Sequence, residues 1–146
     1  EWTYLLDTFN NEILSHKISK NRGDRIPYFN CLEDLKKILI ERRQTYPVTL
    51  HTDQGGVYAS RAFYEAHRNH EIIRSMSRSG TPTDNPIIEA VNGWIKQEMK
   101  IDFNLNEYDN LPEFLDMFVK YYNEERPAYA LKYKSPIQYR IEQGFI

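Results

Sequence analysis

Thr52-Asp53-Gln54-Gly55-Gly56, then Ser75-Met76-Ser77-Arg78-Ser79-Gly80, then Asp84-Asn85-Pro86-Ile87-Ile88-Glu89, and seven residues on Lys96, form the stretch around which the rest of the chain is arranged. Val48 to Thr52 is short and β-prone, so Asp53 stands at the C-terminal end of a strand. Gln54-Gly55-Gly56 has to turn sharply, and the glycines permit positive φ. Ser60 is placed to cap a helix running to about Asn69, and Glu71 to Met76 reads as a second strand. Ser77 to Thr83, rich in Ser, Thr, Gly and Pro, is a surface loop. Asp84 or Asn85 caps the next helix, with Pro86 in its first turn and Ile87, Ile88, Val91, Trp94, Ile95 and Met99 on its apolar side.

Asp53 and Glu89 therefore sit on separate supports, and two carboxylates delivered from separate elements suit a hard divalent cation. A two-metal phosphoryl-transfer site needs that convergence, because two ions about 4 Å apart must clamp the attacking and leaving oxygens. Glu89 lies near a helix N-terminus, where the helix dipole favours its ionised form. On the same helix Glu89, Gly93, Lys96 and Lys100 recur every three or four residues and share a face. A missing side chain at Gly93 lets a nucleic-acid backbone approach, and Lys96 then neutralises a phosphate. Arg74, Arg78 and the loop after Met76 offer further phosphate contacts. Each residue also has a structural explanation. An Asp after a strand is commonly a turn residue, a Glu and Lys seven apart are commonly a solvated face, and Gly93 fits a packing contact. The combination carries the reading.

Working outward, Trp2 to Leu6 reads as a strand ending at Asp7, Asn10-Asn11 as a turn, and Glu12 to Ile18 as the returning strand of a hairpin. Asn30 with Glu33 resembles a capping box, which starts an amphipathic helix over Cys31 to Arg43. Beyond the central stretch, Asp102 to Asn110 is polar connection. Pro112 opens a helix with Phe114, Leu115, Phe118 and Tyr121 or Tyr122 facing inward. Ser135-Pro136-Ile137-Gln138 is a capping box for a last short helix, stopped at Gly144. Strands first, then alternating helix and strand, then helices, predict an α/β or α+β three-layer domain with no internal repeat.

The chain has 146 residues and a net charge of -2, so it carries no global basic footprint of nucleic-acid binding, and any such face must be local. No apolar run approaches the roughly 20 residues of a membrane span. One cysteine, Cys31, excludes an internal disulfide. His67 and His70 are three apart and His51 neighbours Asp53, but nothing is placed to complete a zinc site, so surface or core histidines are expected. The tyrosine-rich C-terminus is expected to serve core and interface rather than a base-stacking platform.

The quoted motifs, with Lys96-Gln97-Glu98 after them, resemble the integrase-like catalytic core of bacterial insertion-sequence transposases of the Asp-Asp-Glu type, which are similar to retroviral integrases. Thirty-five residues separate Asp53 from Glu89, and Lys96 follows by seven, as in that family. Tyr121-Tyr122-Asn123, Arg126-Pro127, Lys134-Ser135-Pro136 and Tyr139-Arg140 resemble its closing segment. The resemblance implies a ribonuclease-H-like fold, a mixed sheet flanked by helices, over residues 1–146 as one core domain. It implies Mg²⁺ or Mn²⁺ in a two-metal site held by Asp53 and Glu89. Lys96, Lys100 and Arg78 are then expected on the DNA. The implied partners are DNA, as element ends and target, and further copies of the chain. The implied place is the bacterial cytoplasm, on the nucleoid when DNA-bound. The family's helix-turn-helix region, which reads the element ends, is not among these residues.

One departure matters. In the family the first catalytic Asp lies on a strand ahead of the hairpin, and Tyr4-Leu5-Leu6-Asp7 resembles the hairpin itself. Asp7 is then structural, the first strand and first Asp lie upstream of Glu1, and the sheet is expected to have a gap. The fragment alone is expected to be inactive, with the gap filled by altered pairing or dimerisation. Two other readings stay open: a ribonuclease-H-like nuclease, and a non-catalytic DNA-binding or assembly remnant of a decayed mobile element.

Overall fold

The computed structural model describes residues 1–146, apart from the side chain of Pro82. The expected hairpin forms from β1 (Trp2–Asp7) and β2 (Glu12–Ile18). Its turn is set by local side chains. The Asp7 carboxylate accepts the Phe9 N–H at 2.9 Å, and the Asn10 amide oxygen accepts the Glu12 N–H at 3.3 Å. Asn11 takes the left-handed conformation at φ 59°, which asparagine tolerates better than most residues. Asp7 thus works in the turn, as the sequence suggested.

Helix α1 (Ile26–Glu41) starts several residues earlier than the capping-box reading at Asn30 placed it. The reason lies upstream. Asp24 accepts the Ile26 N–H at 3.0 Å while the Ser19 hydroxyl holds its other oxygen at 2.7 Å, and Pro27 supplies helical φ without needing a partner for an N–H. Asn30 is left inside the helix. Cys31, Leu32 and Leu35 form the buried stripe.

Strand β3 (Val48–Thr52) runs parallel to β4 (Ile72–Met76), in register from Val48 opposite Ile72 to Thr52 opposite Met76. The crossover carries α2 (Gly56–Ala59) and α3 (Arg61–His67). Ser60 caps α3 as expected, accepting the Phe63 N–H at 3.2 Å. Leu32, Leu35, Leu50, Phe63 and Ile72 pack as one core, so the parallel pair rests on helices rather than standing alone. The strands form two separate two-stranded sheets, β1 with β2 and β3 with β4.

Helix α4 (Pro86–Ile101) buries Val91, Ile95 and Met99. Ile87 and Trp94, expected on its inner side, are 42% and 54% exposed. The buried stripe is one row at four-residue spacing, narrower than the apolar pattern suggested. Asn110 caps α5 (Leu111–Glu124), which buries Phe114, Leu115, Phe118, Val119 and Tyr122. Helix α6 (Pro136–Glu142) starts with the complete Ser135–Gln138 capping box. The chain folds as two compact units: Glu1–Leu5 with Leu14–Pro86, and Leu6–Ile13 with Ile87–Ile146. Among the described residues no helix is long and apolar enough to cross a membrane.

Candidate active site

In the first unit, Asp53 follows β3 directly, where the strand leaves the sheet. Its Oδ1 accepts the Gly55 N–H at 2.8 Å. A Cβ on residue 55 would stand 2.9 Å from that same oxygen. The glycine leaves room for the folded-back carboxylate, which a Cβ would push aside. It is not required by a positive φ, because Gly55 has φ -54° and Gly56 simply opens α2. The second Asp53 oxygen accepts no hydrogen bond from a side chain of the described residues. Asp53 borders a pocket of about 380 Å³ whose wall includes Gly23, Tyr28, Gly55 and Tyr58. Burial, and then the hydrogen bond to the Glu1 carboxylate, push the Tyr28 hydroxyl up to about 12. Burial raises Tyr58 as well. Both phenols stay protonated at neutral pH.

His51, two residues before Asp53, has a role the sequence reading missed. Its Nδ1 meets the Ser75 hydroxyl at 2.8 Å and its Nε2 the Ser77 hydroxyl at 2.9 Å. Ser77 also donates its N–H to the Thr52 carbonyl at 2.8 Å and accepts the Gln54 amide at 3.0 Å. The loop leaving β4 is thus tied beside Asp53 on three sides. The available signal was strand register, since His51 pairs with Ser75 across the sheet. Arg78 is not free. It grips Asp84 through Nε at 2.9 Å, Nη2 at 2.8 Å and its own N–H at 2.9 Å. These bonds hold the Asp84 carboxyl well below the usual carboxylate range. Asp84 is engaged with the loop through this grip.

In the second unit, Glu89, Lys96 and Lys100 are exposed on α4 and make no ion pair among the described residues. Gly93 lies between them, and a Cβ there would meet nothing within 4 Å. A packing role within this chain is thereby removed. No group of three His, Cys, Asp or Glu residues that could hold a metal forms among the described residues.

The closing segment is a set of locks. Asn123 pairs with the Ile13 backbone as a strand neighbour would, accepting its N–H and donating to its C=O, both at 2.9 Å. Arg126 bonds Glu98 at 2.6 Å, and Arg140 bonds the buried Glu12 at 2.8 Å. Asn10, fully buried, donates to Glu12 at 3.1 Å and to the Pro136 carbonyl at 2.9 Å. Tyr122 is buried, as expected of the tyrosine-rich end, but Tyr129 and Tyr133 are not.

The integrase core domain family matches residues 70–136. A protein of Escherichia coli (strain K12) named as a transposase of insertion sequence element IS150 is 34% identical over 141 residues, covering 93% of this chain and 47% of that protein. The transposase for insertion sequence element IS904 of Lactococcus lactis is 29% identical, covering 90% of this chain and 51% of its own length. The chain thus spans about half the length of these curated relatives. Among solved structures, a chain of the simian T-cell lymphotropic virus intasome, solved with the PP2A regulatory subunit B56 gamma, superposes with a TM-score of 0.76 at 21% identity, over 94% of this chain and 46% of that one. That likeness gives the fold, a ribonuclease-H-like mixed α/β architecture with sheets flanked by helices.

Proposed function

The chain is an integrase-like core of the insertion-sequence transposase family, and from that premise we propose that it is the catalytic-core part of a DNA transposase, cutting and joining DNA strands with divalent cations. One observation carries the reading. Asp53, which follows β3, and Glu89, in the first turn of α4, each present carboxylate oxygen that no other side chain of the described residues engages. Oxygen donors without thiolate or imidazole suit Mg²⁺ or Mn²⁺. Bound there, such ions would lower the charge on a DNA phosphate and activate the attacking oxygen.

Asp53 and Glu89 hold the cations in this proposal. The Gly55 N–H aims one Asp53 oxygen, and the His51–Ser77 ties keep the neighbouring loop from swinging. Lys96 and Lys100, both on the C-terminal side of the open Gly93 position, take phosphates. Arg78 reaches DNA only by exchanging Asp84 for a phosphate, which the exposure of that pair allows. The family's further carboxylate has to come from outside this pair. Homo-oligomers on element ends and target, in the bacterial cytoplasm, complete the proposal. Pairing of a strand of another copy with a free strand edge is the route we propose for self-association, because two-stranded sheets leave strand edges without a β partner.

Calorimetric titration with Mn²⁺ tests the core of it. Heat of binding is expected in the unaltered chain and is expected to vanish in Asp53→Asn and in Glu89→Gln. Equal binding by all three would overturn the metal assignment. A strand-transfer assay at the length of the relatives separates a transposase from a plain nuclease, since only the former joins the cut end to a second DNA.

A further inference from the structure

The segment between α5 and α6 carries a feature that neither the carboxylates nor the locks explain. Ala128 and Lys134 form an isolated antiparallel bridge. Between them the backbone is closed by four short bonds. The Leu131 and Tyr133 N–H groups reach the Ala128 carbonyl at 3.0 and 2.9 Å, and those of Lys132 and Lys134 reach Tyr129 and Leu131 at 3.0 and 3.2 Å. Leu131 and Ser135 anchor the loop, 4% and 1% exposed. Two successive non-glycine residues, Lys132 and Tyr133, are held left-handed at φ 57° and 62°. That conformation costs roughly 1–2 kcal/mol per residue.

This rigid loop holds two rings out in water. Tyr129 is 83% and Tyr133 70% exposed, and the rings meet edge to face with centroids 5.6 Å apart. Neither hydroxyl has a hydrogen-bond partner among the described residues. From Arg126 to Arg140 the chain has four cations and no carboxylate. Arg126, Lys134 and Arg140 are each neutralised by a glutamate, so Lys132, between the rings, is the segment's one ammonium without an ion pair among the described residues. Water-exposed ring faces beside a cation without an ion pair suit a flat anionic polymer. We propose that Tyr129, Lys132 and Tyr133 form a clip for an unpaired nucleobase of DNA, a base stacking on a ring while Lys132 meets the adjoining phosphate. Duplex DNA hides its base faces in the stack, so the clip selects single-stranded or locally opened DNA. The inference rests on DNA being the partner, as argued above, and adds which form of it this loop takes.

The test measures binding of a fluorescent oligothymidylate of about 20 nucleotides, and of the same strand paired with its complement, by anisotropy at low salt. The proteins are the unaltered chain, Tyr129→Ala with Tyr133→Ala, and Tyr129→Phe with Tyr133→Phe. Circular dichroism confirms that each folds, as substitutions at exposed positions should. The alanine pair is expected to lose single-strand affinity by about tenfold or more, the phenylalanine pair to stay within about threefold, and duplex binding to change little. Unchanged single-strand binding by the alanine pair, with duplex binding intact, would overturn the clip and leave the DNA reading standing. Loss in the phenylalanine pair equal to that in the alanine pair would also overturn it, since stacking needs no hydroxyl. Binding of neither DNA form by the unaltered chain would overturn both. Sedimentation of the same proteins covers the remaining outcome. If the alanine pair changes the association state, the rings face another copy of the chain and the clip is wrong.

Discussion

Gly93 shows how one residue separates stability from the proposed DNA contact. A glycine inside a helix costs about 1 kcal/mol relative to alanine. Here no neighbour excuses that cost, because a Cβ would meet open space. Gly93→Ala is therefore expected to raise stability by about 1 kcal/mol in urea unfolding, and to weaken duplex binding if a DNA backbone lies along that face. A stabilised variant with unchanged DNA affinity would remove the face from the proposal. His67 makes a different argument. Its Nδ1 donates to the Phe63 carbonyl at 2.7 Å, and its buried Nε2 has no partner among the described residues. Burial holds the imidazole below its ordinary 6.5, opposed by the Phe63 bond and aided by Arg74, Lys36 and His70. The folded chain thus keeps His67 neutral where the unfolded chain takes up a proton. Its contribution is fully present above about pH 6.5 and is lost as pH falls from there toward the folded value. Urea midpoints measured from pH 7 to 5 should fall more steeply in the unaltered chain than in His67→Gln, whose amide keeps the bond to Phe63 and does not titrate.

At the scale of elements, the locks on the β1–β2 turn explain why the closing segment reads as a motif at all. Asn123 gives the Ile13 backbone the two bonds a neighbouring strand would give, and Arg140 meets Glu12 where both side chains are largely buried. Asn123→Ala leaves a part-buried N–H and C=O without partners, at about 1–3 kcal/mol for each group that water cannot reach. Urea unfolding should show a loss of at least about 1 kcal/mol, and a loss below that would mean water replaces the amide. These locks join residues more than a hundred apart in the chain, so no local pattern exposed them. Local patterns did better where the cause is local. Ser60 and Ser135 cap the helices they were expected to cap, and Val48–Thr52 ends at Asp53. Helix α1 starts ahead of Asn30 because the Asp24 side chain, which accepts the Ile26 N–H, outcompetes the weaker Asn30 signal. Ile87 and Trp94 stay exposed although they share the apolar side, because hydrophobic periodicity reports what a face could bury, and not what lies against it.

For the whole molecule, the family and the mixed α/β class were legible from the motifs, while the charge left over for DNA was not. The chain has 19 Lys and Arg against 21 Asp and Glu, so attraction to DNA depends on which cations remain unpaired. Lys17, Lys36, Arg68, Arg78, Arg126, Lys134 and Arg140 each lie in an ion pair. Composition cannot reveal that, because the partners are set by the fold. Lys96 and Lys100, unpaired on α4, then supply most of the proposed duplex contact. Each phosphate neutralised contributes a slope of about -0.9 to the logarithm of affinity against the logarithm of salt concentration. Two or three such contacts give a slope of about -2 to -3, shallow for a DNA-binding protein. Lys96→Gln should bring the slope about one unit nearer zero and weaken different duplex sequences alike, since a phosphate contact reads no bases. Anisotropy titrations between low and physiological salt measure this directly. A slope steeper than about -6 would mean that many paired cations let go of their carboxylates for DNA. An unchanged slope in Lys96→Gln would take that lysine off the phosphate.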